Sequence, residues 1–155
     1  MKIVLIVAAL SALALSGTAH AQMVRAQDPK SVTTALQNAG YKAELTKDPT
    51  GDPLVKSSSS GSSYEIYFYN CTKNVDCRTI QFSSAYSRDK TPTADDMNDW
   101  NNKNRFTRAY VTPKGIARIE MDVDLDDGGM SKLLFEDNLE YWVVLMAGFE
   151  KHLDR

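Results

Sequence analysis

NDWNNKNRFTRAYVTPKGIARIEMDVDLDDGG, residues 98–129, holds the most closely specified run of local structure signals in the chain. It opens on a helix end carrying Trp100, Asn101 and Asn104 and passes into a basic-aromatic strand, residues 106–111. Thr112-Pro113-Lys114-Gly115 makes a tight turn, and residues 115–123 return as a second strand. Ala109 and Val111 on the first strand answer Ala117, Ile119, Met121 and Val123 on the second. Side chains alternate along a strand, so Phe106, Arg108 and Tyr110 are expected together on the opposite face. The stretch closes on an acidic segment and Gly128-Gly129.

Working outward, Thr93 caps a helix through Asn104 that is polar except for Met97 and Trp100, with Asp95 and Asp96 where the helix dipole favours negative charge. Downstream, Ser131 is the N-cap of the longest element. Phe135, Leu139, Trp142, Met146, Phe149 and Leu153 recur there at steps of four and three. A helix of about 20 residues spans about 30 Å and can cover a whole sheet. Upstream, Asp28-Pro29 starts a short amphipathic helix that Gly40 ends, with Val32, Ala35, Leu36 and Ala39 on one face. Residues 41–46 alternate as a half-buried strand, and residues 48–53 form a turn. Leu54-Val55 is a second short strand or part of that turn. SSSSGSS, residues 57–63, has the composition of a mobile loop. Residues 64–69 and 78–86 pair as strands, with Tyr64, Ile66, Phe68, Ile80 and Phe82 inward. The order is α-β-β-β-α-β-β-α, which predicts an α+β fold: an antiparallel sheet of about five strands packed by helices.

Residues 1–21 have the pattern of a secretory signal peptide, with Lys2, an apolar core and Ala19-His20-Ala21 as cleavage site. Its apolar run is shorter than the ~20 residues a membrane span needs. Residues 22–27 are expected to be a flexible leader and residues 28–155 the folded domain. The predicted location is periplasmic or secreted, with no membrane span in the mature form. Cys71 and Cys77 fit an oxidising compartment; as a structural disulfide they would staple a hairpin tip, worth about 2–3 kcal/mol in the loop-entropy model. The spacing is not that of a C-x-x-C redox pair at a helix N-terminus.

Eighteen Lys and Arg against 20 Asp and Glu give a formal net charge of −2 and no dense basic run, which argues against a nucleic-acid partner. Two registers test the acidic segment as an EF-hand loop. From Asp122 the sixth position is Asp127 and the twelfth Leu133; from Asp124 they are Gly129 and Phe135. Neither has both the Gly and the Glu required, so no metal is predicted, and no cofactor motif is present. His152, the one histidine after residue 21, is expected at the exposed end of the last helix. No catalytic set assembles around it. Trp100, Asn101, Asn104, Arg105, Arg108 and Tyr110 are the candidate binding residues, since guanidinium and aromatic groups at one junction suit an acidic or peptide partner. In the competing reading Trp100 and Phe106 are core and the arginines pair with Asp95, Asp96 or Glu120.

GYKAELTKDPTGDPLVKSSSSGSSYEIYFYNC (residues 40–71), DWNNKNRFTRAYVTPKGIARIEMDVDLDDGGMS (residues 99–131) and the helix from Trp142 to Phe149 together resemble the YbjN family, bacterial proteins labelled sensory transduction regulators. The resemblance runs over residues 28–153, and the Cys71/Cys77 pair is similar to that of exported members. It implies a fold like that of type III secretion chaperones and carries no enzymatic activity or catalytic residues to transfer. The expected function is non-enzymatic, chaperone-like binding of a protein or peptide on the sheet or on the long helix, with room for a homodimer. The alternative is a small-ligand or ion sensor with its pocket between the C-terminal helix and the sheet.

Overall fold

A computed structural model describes residues 22–154; the expected signal peptide, residues 1–21, lies outside them. The chain runs β1 (Met23–Val24), α1 (Pro29–Asn38), β2 (Ala43–Lys47), β3 (Pro53–Ser59), β4 (Ser62–Tyr69), β5 (Thr79–Tyr86), α2 (Ala94–Lys103), β6 (Arg108–Val111), β7 (Ala117–Asp124), β8 (Met130–Ser131) and α3 (Lys132–Leu153). Six strands form an antiparallel sheet in the order β2-β3-β4-β5-β7-β6, and β1 and β8 form a two-stranded sheet of their own. The α+β class is therefore as expected, with six strands in the main sheet rather than five.

The added strand is β3, whose last three residues are the first three of the serine run read as a mobile loop. Ser57, Ser58 and Ser59 pair with Tyr64, Ser63 and Ser62 across a two-residue turn. Ser60 and Gly61 both have positive φ, 51° and 90°, the backbone of the tight hairpin turn that matches strand twist. Serine has little strand preference of its own, but β4 pairs with all three serines and β2 pairs also with Ser57, which is buried.

Residues 22–27 are likewise tied down where a flexible leader was expected. Met23 and Val24 pair with Ser131 and Met130, and Val24 and Ala26 are fully buried. Gly129 makes this pairing possible: its φ is 83°, and a Cβ there would overlap the Val24 carbonyl oxygen.

One face of the sheet carries the core. Leu45, Val55, Ile66, Phe82 and Met121 form an inward row across five strands, and all but Leu45 are buried. α3 lies over this face with Phe135, Leu139, Trp142, Met146 and Phe149 buried, as the 3.6-residue period requires. Trp142 packs edge-on to Tyr64 at 5.8 Å between centroids and against Phe82 at 5.6 Å. Burying aromatic rings of this size supplies much of the favourable free energy of such a domain. α1 joins through Val32, Ala35 and Leu36, its N-cap Asp28 accepting from the Lys30 amide. α2 joins through Met97 and Trp100; Thr93 and Asp96 form a reciprocal capping box at its start. At the β4–β5 tip Cys71 and Cys77 are joined in a disulfide. Asn70, Lys73, Asn74 and Asp76 in that tip all have positive φ.

Candidate functional site

Among the described residues all three helices pack on the inward face, which leaves the other face of the sheet open. Its side chains follow from strand register. Glu44, Lys56, Glu65, Ser83, Glu120 and Arg108 form one row across all six strands, with charges that alternate along most of it. The next row is Thr46, Leu54, Tyr67, Gln81 and Asp122. Tyr69 and Thr79 lie beyond it, and Arg118 and Tyr110 flank the first row on the other side.

Aromatic and guanidinium groups lie across the centre of this face and cover it. Gln81, Ser83, Glu120 and Leu54 are buried although none of the described helices passes over them. Glu120, only 4% exposed, accepts from Arg108 Nε at 3.0 Å and from the Tyr110 hydroxyl at 2.8 Å. Its partners solve the problem of burying a charge, since an unpaired carboxylate there would be costly. That bond holds the Arg108 guanidinium still further above its ordinary value. Tyr67 donates to Glu65 Oε2 at 2.5 Å, and its ring stacks with Tyr69 at 6.4 Å. Burial first, and the Glu65 contact second, push the Tyr67 phenol up to about 12. Gln81 Nε2 donates to Asp122 Oδ1 at 2.8 Å, and Arg118 reaches Ser83 Oγ at 3.2 Å. Tyr69 and Tyr110 keep 43% and 37% of their surface open to solvent. The face thus offers flat aromatic surface with a guanidinium rim, all held by internal hydrogen bonds.

Of the six residues singled out in the sequence, only Arg108 and Tyr110 stand on this face. Trp100 is buried, its Nε1 donating to Thr107 Oγ1 at 3.2 Å and its ring edge-on to Phe149 at 5.1 Å. Asn101 latches the outer strand: its amide donates to the Ala109 carbonyl at 3.0 Å and accepts from the Ala109 amide at 2.8 Å. That pairing occupies part of the β6 edge, a sheet edge that would otherwise be open for pairing. Asn104 closes α2 by donating to the Trp100 carbonyl at 2.9 Å. Arg105 stands elsewhere, 5.0 Å from the ring centroid of Phe106.

Phe106 corrects the sequence reading. It is not in β6 and does not share a face with Arg108 and Tyr110. It has φ 69°, a left-handed conformation costly for a bulky residue, and packs on Tyr141 of α3 at 4.8 Å. The turn from α2 into β6 forces this. His152 is also not the exposed residue expected: its side chain is 8% exposed, between Trp100 and Phe149, with Nε2 2.8 Å from the Asp96 carbonyl oxygen.

The sequence alone did not single out Tyr67, Tyr69, Gln81 and Arg118, and it named Glu120 only as a possible ion-pair partner for the arginines, which it is for Arg108. Alternation gave their side of the strand but not which strands become neighbours, because β7 rather than β6 pairs with β5. The acidic segment disperses: Asp122 goes to Gln81, Asp124 accepts from the Asp126 amide, and Asp126 pairs with Arg78 at 3.2 Å. The space between α3 and the sheet is filled by Tyr64, Phe82, Phe135 and Trp142. A cavity of about 400 Å³ lies instead beside the end of α3, lined by Arg88, Lys90, Asp96 and His152 among others. No helix among the described residues is long and apolar enough to cross a membrane.

Neither a curated protein nor a solved structure gives a significant match to the chain. A family model does, over residues 28–155: YbjN, described as "Putative bacterial sensory transduction regulator". The match takes in every element from α1 to α3, including both rows of the open face, and on it the chain belongs to the YbjN family.

Proposed function

We propose that this YbjN-family protein is an exported, non-enzymatic regulator that acts by chaperone-like docking of a protein or peptide on the open sheet face. One observation carries the reading. Tyr67, Tyr69 and Tyr110, with Arg108 and Arg118, form a preorganised aromatic-guanidinium surface on the sheet face that none of the described helices covers. Tyrosine and arginine contribute most per residue at protein interfaces, and groups already fixed by internal hydrogen bonds lose little entropy on binding. The Cys71–Cys77 disulfide is consistent with export to an oxidising compartment.

The test is recovery of partners from an extract of the native cells with the wild-type chain and with a Tyr67→Ser, Arg108→Ala, Tyr110→Ser variant. The variant should lose the specific partners while keeping its circular dichroism spectrum. Equal recovery by the folded variant removes the open face from consideration. The ligand-sensor reading has less support, because the helix–sheet interior is occupied by packed rings.

A further inference from the structure

β6 and β2 are the two edges of the six-stranded sheet, and the chain treats them differently. On β6 the Asn101 amide occupies both backbone groups of Ala109. On β2 the register shows which backbone groups point outward. The Asp48 amide donates to the Asp52 carbonyl at 2.9 Å, so these two residues form a bonded pair. Bonded and non-bonded pairs alternate in an antiparallel ladder. Thr46/Leu54 and Glu44/Lys56 are therefore bonded, and Ala43, Leu45 and Lys47 turn their backbone groups away from β3. Pro53, opposite Lys47, agrees with this because it has no N–H to donate. Gln37 Nε2 donates to the Ala43 carbonyl at 3.1 Å. Among the described residues no hydrogen bond reaches the outward N–H and C=O of Leu45 or Lys47.

The side chains along this edge define what fits it. Glu44 is exposed and, among the described residues, takes part in no ion pair. It begins the row Glu44, Lys56, Glu65, in which charge alternates, and a basic residue laid beside it continues that alternation. Leu45 points to the other face and is 38% exposed at the end of the inward row, so an apolar residue beside it extends the core side. We propose that β2 accepts an extended segment of another protein as a seventh strand, basic towards the open face and apolar towards the helices. The backbone of Leu45 and Lys47 supplies the attraction, and the side chains of Glu44 and Leu45 supply the selectivity. The edge is a different surface from the open face, so the inference stands whether or not that face is occupied. A second copy fits less well. Antiparallel about Leu45, it would set Lys47 against Ala43, whose carbonyl Gln37 already holds, and Glu44 against Thr46 rather than a cation.

The probe is a short capped peptide alternating Lys and Val, and the readout is amide hydrogen exchange of the protein. At saturation it should slow exchange at Leu45 and Lys47 by ~10-fold or more and leave Glu44 and Thr46, already bonded to β3, as they were. That odd-even pattern marks an added strand, and a merely adhesive peptide does not give it. A peptide alternating Asp and Val should bind ~3-fold more weakly or worse, and Glu44→Lys should reverse the preference. Leu45→Pro removes one outward N–H without touching a β2–β3 bond, so the folded variant should bind the Lys-Val peptide ~3-fold more weakly or worse. A Lys-Val peptide that does not bind at millimolar concentration, or that binds without the odd-even protection, overturns the proposal. Protection that arises without peptide as the protein is concentrated overturns it too, because β2 then pairs with a second copy.

Discussion

At Gly129 a single methyl group would meet the Val24 carbonyl oxygen and the Arg25 side chain, and the backbone there is left-handed as well. Gly128 beside it has φ 108°, but a methyl group there would find nothing within 4 Å. The two glycines separate strain from collision. Gly128→Ala should cost about 1 kcal/mol for the backbone alone, and Gly129→Ala about 3 kcal/mol or more, because β1 must also move. Urea denaturation of both variants checks the difference; equal losses would mean that the β1–β8 contact contributes nothing. Glu120 is the other residue whose surroundings set a magnitude. Glu120→Gln keeps the shape but weakens the bonds from Arg108 and Tyr110, a loss of about 1–2 kcal/mol, moderated because Arg108 remains solvated. Period-two alternation put Arg108 and Tyr110 on one face of their strand, where their register places them. It could not separate them from Trp100, Asn101 and Asn104, whose polar atoms are used inside the molecule. Nor could it place Phe106, because alternation holds only within a strand and Phe106 lies in the turn before it.

Among the elements, β3 and β1 were the hardest to read. A Ser-rich run has no apolar alternation, and a two-residue strand has no period at all; both form because partners from elsewhere in the chain take up their backbone groups. The caps were legible, since Asp28, Thr93 and Ser131 each act over a few residues of local sequence. The disulfide belongs at this scale as well. Cys71 and Cys77 close a short loop, so reduction, or replacement of both by Ser, should lower stability by about 2 kcal/mol. Hydrogen exchange should rise first at the β4–β5 tip. Asn74 ties that tip to the β2–β3 turn by donating to the Thr50 carbonyl at 3.2 Å and to Asp52 Oδ1 at 2.8 Å. A reduced protein with unchanged stability and unchanged exchange at the tip would contradict this.

For the whole molecule, the two sheet faces divide the tyrosines but shift them alike. Burial pushes Tyr64 on the core face and Tyr67 on the open face up to about 12, and raises Tyr69, Tyr86 and Tyr110 as well. The folded state therefore keeps protons that the unfolded chain loses above the ordinary tyrosine value of 10.0. Their stabilisation is complete below pH 10 and is lost as pH rises towards about 12, so the melting temperature should fall through that window while phenolate absorbance rises with it. The two-layer architecture was legible from periodicity, whereas the assembly of the open face depended on β7 entering beside β5. Photo-crosslinking probes whether a partner docks on that face. A photoreactive phenylalanine analogue is placed at Tyr67 or Tyr110, and at exposed Lys30 on α1 as control, and the protein is irradiated in its native cells. Discrete protein adducts are expected from Tyr67 and Tyr110 and none from Lys30. Adducts from Lys30 alone, or the same adducts from all three positions, would contradict docking on that face.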